Sequence, residues 1–177
     1  RVALRTVFFG TPAWAVPSLD ALLASDIEVT AVVTNPDRPS GRGHKLTPPP
    51  VKVRAEQAGL PVFQPRSLRK DVERIQWLAD QAPDFLVTVA FGQILSQAVL
   101  DIPTLGTVNV HASLLPAYRG ANPIQQAVLD GKPETGLTTM LTDMPPIQRR
   151  RAVPASSSAP RVRSRPRGGT SSMKPFR

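Results

Sequence analysis

The sequence predicts an α/β protein with a mostly parallel sheet, and three observations carry that expectation. Thr6-Val-Phe-Phe9 and Ile27–Val33 are runs of apolar and β-branched residues, as buried strands require. Between them Ala15, Leu19, Leu22 and Leu23 recur at helical spacing, with Pro17 tolerable in a first turn. Strand, helix and strand in that space form a βαβ unit, which crosses over right-handed and implies a parallel sheet covered on both faces. The third observation is Phe85-Leu-Val-Thr-Val-Ala90, the most strand-like run of the chain and the natural centre of such a sheet.

The remaining elements follow in order. Gly10-Thr-Pro12 turns the chain after the first strand. Asn35–Pro50 lacks apolar periodicity and reads as a long loop, basic through Arg38, Arg42, His44 and Lys45, with Gly41 and Gly43 keeping it mobile. Residues 51–58 read as a helix and 60–63 as a strand. Residues 71–79 read as an amphipathic helix with Val72, Ile75 and Leu78 on one face. Phe91-Gly92 turns into a segment bearing Ile94, Leu95, Val99 and Leu100. Residues 106–111 make the next strand, 123–129 a helix and 135–141 a further strand. From Pro145 the chain is rich in Pro, Ser and Arg, without periodicity, and a disordered tail is expected. The division expected is therefore a folded domain over 1–144 and a tail over 145–177.

Charge supports that division. The chain has 177 residues and a net charge of +9, but its 13 acids all lie before Pro145, together with 13 of its 22 Lys and Arg. Residues 147–177 hold the other nine cations and no acid, so the basic character describes a tail. There is no cysteine, which excludes disulfides and fits a reducing compartment. The two histidines, His44 and His111, are far apart in sequence, which disfavours a metal centre. Arg1 and Arg5 before an apolar run imitate a secretory leader, but Gly10-Thr-Pro12 breaks the run too early for one, or for a membrane span. No G-x-G-x-x-G, P-loop or nucleophile elbow is present.

Chemistry concentrates in Gly106-Thr-Val-Asn-Val-His-Ala-Ser-Leu-Leu-Pro116. In a strand, Asn109 and His111 share one face. An amide that can hold an oxyanion beside an imidazole is a usable kit for acyl transfer. Two polar residues at a strand end are more often loop hydrogen-bonders than catalytic groups, and spacing alone favours that plainer reading.

Six segments together resemble the methionyl-tRNA formyltransferase family: Phe9-Gly-Thr-Pro12, Asp37-Arg-Pro-Ser-Gly-Arg-Gly43, Leu60-Pro-Val-Phe-Gln-Pro65, Ala90-Phe-Gly-Gln-Ile-Leu95, Asn109-Val-His-Ala-Ser-Leu-Leu-Pro116 and Arg119-Gly-Ala-Asn-Pro-Ile-Gln125. They stand in the family's order and cover roughly residues 5–144. Asn-x-His and Ser-Leu-Leu-Pro are shared with other users of 10-formyltetrahydrofolate, whereas the Asp-Arg-Pro-x-Gly-Arg-Gly loop is far more specific to the tRNA enzyme.

The resemblance implies a Rossmann-like formyltransferase fold, incomplete at its C-terminal end. It also implies transfer of a formyl group from 10-formyltetrahydrofolate to methionyl initiator tRNA in translation initiation. Asn109 would hold the formyl oxygen, and His111 would stabilise that charge or relay protons. Ser113, Leu114, Leu115 and Pro116 would bind folate, with Phe91, Gly92, Gln93 and Ile94 beside the pterin. Arg38, Arg42 and Lys45 would reach the tRNA. A cytoplasmic monomer without a metal or a membrane partner is expected. One departure stands out: where the family has the carboxylate that completes its catalytic group, this chain has Ile147, and Asp143 matches a different family Asp. The switch to acid-free sequence there suggests a slipped reading frame, and an impaired enzyme. Two other readings remain at this point, a different 10-formyltetrahydrofolate-dependent transferase and a non-catalytic protein using the basic tail on RNA.

Overall fold

The computed structural model describes residues 3–40, 45–69, 72–120 and 122–142, and the backbone of a strand at Val162–Arg163. The chain divides into two units. The first runs to His111 and takes in the strand residues from 139 onward.

Its centre is a six-stranded sheet in the order β5-β2-β1-β6-β7-β9. These are β1 (Arg5–Gly10), β2 (Glu28–Val33), β5 (Val62–Phe63), β6 (Phe85–Val89), β7 (Thr107–His111) and β9 (Thr138–Thr142). The pairs β5/β2, β2/β1, β1/β6 and β6/β7 are all parallel. This is the mostly parallel α/β fold expected, with the Phe85 run central.

Strand alternation divides the core into two layers. Val7, Phe9, Ala31, Val33 and Leu86 pack on one face, against Leu78 of α3 (Val72–Asp80) and Val99 of α4 (Gln97–Leu100). Phe8, Val32, Val87 and Val89 pack on the other, against Leu19 of α1 (Val16–Leu23) and Val51 and Ala55 of α2 (Pro50–Gln57). Both α1 and α2 carry Pro in the first turn, where its missing N–H costs nothing. At the end of β1, a Cβ on Gly10 would sit 2.7 Å from the Phe8 ring and 3.1 Å from the Val89 carbonyl oxygen, so only glycine fits.

Several details differ from the sequence expectations. The loop read as irregular over 35–50 contains an antiparallel ribbon, β3 (Arg38–Ser40) with β4 (Lys45–Thr47). Its strands are three residues long and mostly polar, too short to show periodicity. Val72 was expected on the buried face of α3 but is 78% exposed, because it opens the helix, whereas Leu78 is fully buried. The single strand expected over 135–141 is two, β8 (Glu134–Thr135) and β9, interrupted at Gly136-Leu137. After Phe91-Gly92, where the sequence assigned no element, Gln97–Leu100 is helical and is preceded by an extended Ser96.

The second unit comprises residues 112–138 with the strand at 162–163. It contains α5 (Pro123–Leu129), as expected and again opened by proline, and β8 pairs antiparallel with β10 (Val162–Arg163). Ser113 Oγ donates to the Ala117 carbonyl (2.7 Å), and Thr138 Oγ1 donates to the Ser113 carbonyl (2.7 Å) and accepts from the Leu115 N–H (3.1 Å). The Leu115–Pro116 peptide is cis. Gly41, Arg42, Gly43, His44, Asp143 and Ile147 lie outside the described residues, as does the tail apart from β10.

Candidate active site

The chain runs from β1 outward through β2 to β5, then returns to place β6 on the other side of β1. That reversal is a topological switch point, and in open α/β sheets the crevice beyond the carboxyl ends of the strands there is where ligands bind. The residues at those ends are polar and joined to one another.

Asn35, buried just after β2, donates from Nδ2 to the Phe91 carbonyl (2.8 Å), which also accepts from Thr11 Oγ1 (3.1 Å). Gln93 Nε2 donates to Asn35 Oδ1 (2.8 Å) and to the Pro65 carbonyl (3.0 Å). Gln64 Nε2 donates to the Asn35 carbonyl (2.9 Å) and to Asp37 Oδ1 (2.6 Å). Lys52 of α2 completes the chain with an ion pair to Asp37 (3.0 Å). The Gln64 amide and then the Lys52 ammonium hold the Asp37 carboxyl below its ordinary range. One hydrogen-bonded line thus ties the turn after β6 to the residue that precedes the basic ribbon.

That turn is conformationally unusual. Ala90 (φ 48°) and Gly92 (φ 81°) both adopt left-handed backbone, which costs glycine nothing but strains Ala90, and strain of this kind collects at functional sites. Of the four residues expected beside a pterin, Phe91 buries its ring edge-on against Phe9 (5.3 Å), so its carbonyl rather than its ring faces the network. Gly92 and Ile94 are exposed, and Gln93 is half-buried with its amide nitrogen committed.

Asn109 and His111 occupy β7 on one face, opposite Val108 and Val110, which pack into the core. Asn109 lies in register with Thr88 of β6. Thr88 Oγ1 donates to Asn109 Oδ1 (2.8 Å), and among the described residues Asn109 Nδ2 meets no acceptor. Among the described residues the amide's acceptor end is thus taken and its donor end uncommitted. His111 is half-buried at the carboxyl end of the strand. A donor and an imidazole two residues apart, at the ends of parallel strands, can bind an oxyanion and move a proton beside it.

Arg38 pairs with Thr47 and Ser40 with Lys45, so alternation puts both cations on one face of the exposed ribbon. Ser40 and Thr47 hydroxyls bond across it (3.0 Å). Arg42, the third cation named from the sequence, lies outside the described residues. Ser113, Leu114, Leu115 and Pro116 form the turn of the second unit described above; Ser113 is buried and Leu114 exposed. A cleft of about 610 Å³ beside Pro36 and Gln64 is also lined by Arg66, Glu73 and Arg74, and this mixed charge does not make a dedicated anion site. Among the described residues no cluster of His, Cys, Asp or Glu could hold a metal, and no helix is long and apolar enough to cross a membrane.

Sequence reasoning passed over Thr88, Asn35 and Gln64. The available signals were a lone hydroxyl inside an apolar strand and polar residues immediately after strands.

Residues 4–144 match the family described as formyl transferase. Over 142 residues the chain is 57% identical to the methionyl-tRNA formyltransferase of Synechococcus sp. (strain JA-3-3Ab), covering 79% of this chain and 44% of that protein. It is 58% identical over 137 residues to the enzyme of that name from Moorella thermoacetica, covering 77% and 44%. The chain thus spans less than half the length of these curated relatives. Among solved structures it resembles a phosphoribosylglycinamide formyltransferase from Anaplasma phagocytophilum, with a TM-score of 0.62 at 22% identity over 81% of this chain and 67% of that one. It also resembles a formyltetrahydrofolate deformylase from Pseudomonas syringae, with a TM-score of 0.65 at 20% identity over 95% and 54%. At such identities these two likenesses are of fold.

Proposed function

This chain belongs to the formyl transferase family, and from that premise we propose that it is the N-terminal part of an enzyme formylating the α-amine of methionyl initiator tRNA, with 10-formyltetrahydrofolate as donor. The observation that carries the reading is the Asn109–His111 pair at the carboxyl end of β7, where among the described residues Asn109 Nδ2 meets no acceptor.

In this reading the amine attacks the formyl carbon, and Asn109 Nδ2 donates to the formyl oxygen as negative charge develops there. His111 relays the proton that the amine loses toward the departing folate nitrogen. The turn at 91–94 takes part in holding the folate, the role of Ser113–Pro116 is carried by the resemblance of that segment alone, and no metal takes part. Arg38, Arg42 and Lys45 meet the phosphates of the acceptor end, so tRNA binding weakens as salt rises. Translation initiation places the protein in the cytoplasm, and it acts as a monomer.

Ile147 stands where the family's pattern carries a catalytic carboxylate, so this chain offers no ionisable group at that position of the sequence. Loss of the comparable acid in a Ser-His-Asp triad costs on the order of 10⁴-fold in rate, and a comparable deficit is expected here. The test is to incubate the purified chain with 10-formyltetrahydrofolate and methionyl initiator tRNA, measuring folate binding by calorimetry and formyl-methionine by chromatography. Binding with transfer slowed about 10⁴-fold against a full-length relative is the expected result. Absent folate binding, or preferential formylation of glycinamide ribonucleotide, would overturn the assignment. Transfer at the full-length rate would overturn the deficit.

A further inference from the structure

An asparagine side chain has two nearly isosteric orientations that exchange a donor for an acceptor. At a site meant to stabilise an oxyanion only one of them helps, and the other presents oxygen to oxygen. Something must choose between them. On β7 the candidates are few, because Val108 and Val110 face the opposite layer. Among the described residues the group that hydrogen-bonds the amide is Thr88, in register on the neighbouring strand and 8% exposed. Its hydroxyl lies 2.8 Å from Asn109 Oδ1 and 3.4 Å from the Val108 carbonyl. The shorter contact is the better hydrogen bond, so the hydroxyl proton goes to the amide oxygen.

Thr88 also breaks the pattern of its own strand. Its neighbours in β6 are Phe85, Leu86, Val87 and Val89, and valine would fill the same volume at no polar cost. A buried hydroxyl in an otherwise apolar run, spent on the side chain of the proposed catalytic amide, is unneeded for packing. We propose that Thr88 is a positioning residue that selects the orientation of Asn109, holding Oδ1 inward so that Nδ2 faces the reacting formyl oxygen. The consequence for formyl recognition rests on the function proposed above; the orientation itself does not.

The experiment uses the full chain, labelled with ¹³C and ¹⁵N, and the variants Thr88→Val and Thr88→Ser. Thr88→Val removes the hydroxyl while keeping shape, and Thr88→Ser restores a donor. Solution NMR reads the Asn109 side-chain carbonyl carbon. The expected result is an upfield shift of that carbon in Thr88→Val and its recovery in Thr88→Ser, at unchanged melting temperature. A carbon that does not move, with the Nδ2 protons shifting instead, would show the amide turned the other way and overturn the proposal. Affinities for 10-formyltetrahydrofolate and for tetrahydrofolate supply the second reading without requiring turnover. Loss of one ordinary hydrogen bond should reduce the preference for the formylated folate by about 2- to 12-fold in Thr88→Val, with affinity for tetrahydrofolate unchanged. A preference retained in Thr88→Val would overturn the proposed consequence. A wild-type chain that shows no preference would refute the function, and the carbon shift would still decide the orientation.

Discussion

Strands β1 and β6 are buried on both faces almost throughout, while β7 is half-buried after its first residue and β9 is mostly exposed. All belong to one sheet, yet they are stabilised differently. In β1 and β6, helices cover both faces, so nearly every side chain contributes by leaving water. In β7, Asn109 and His111 take positions that apolar residues would fill in a pure core strand. At β9, Met140 and Leu141 remain 41% and 46% exposed. The sheet thus grades from a stability-bearing centre to a margin where side chains are left available, and the two residues proposed for chemistry sit on the strand between.

Three measurements break or sharpen that contrast. The largest effect should come from Phe9→Ala, which empties a buried site and removes the edge-on contact with Phe91. Urea unfolding should show a loss of about 3–5 kcal/mol, against under about 1 kcal/mol for Leu141→Ala in β9. Equal losses would erase the distinction between centre and margin.

Gly10→Ala comes next. Its new methyl group would press on the Phe8 ring and the Val89 carbonyl, costing about 1–3 kcal/mol in the same assay. Gly120→Ala, with nothing within 4 Å, should stay within about 0.5 kcal/mol. A harmless Gly10→Ala would mean that β1 and β6 approach less closely than described.

The smallest effect concerns Asp37, which is held by hydrogen bonds and an ion pair outside the packed layers. Its carboxyl is held below the ordinary value of about 3.9, so its stabilisation is complete above that pH and disappears as pH falls through the lower, folded value. Thermal melts should therefore show wild type losing stability below about pH 4 more steeply than Asp37→Asn. Parallel curves would remove Asp37 as an anchor of the ribbon.

The strands of the centre were legible because each carries four or more consecutive apolar or β-branched residues, and burial on both faces demands such runs. The Asn109–His111 pair was legible for a related reason: two polar residues two positions apart interrupt a β-branched run, and the strand period puts them on one face. The β3–β4 ribbon was not, since Arg38-Pro-Ser40 and Lys45-Leu-Thr47 owe their pairing to cross-strand bonds that no local pattern announces. Val72 misled because helical spacing assigns a face without saying where the covering layer begins.

From the chain alone came the parallel α/β architecture, the order of its principal elements and the two residues proposed for chemistry, because local periodicity and apolar runs are properties of neighbours in sequence. Tertiary structure decided which partner each polar group meets: Thr88 against Asn109 across 21 residues, Asn35 against Gln93 across 58. Those pairings depend on strand order and register, which arise only when distant segments share one sheet, and they determine which end of an amide is left to act.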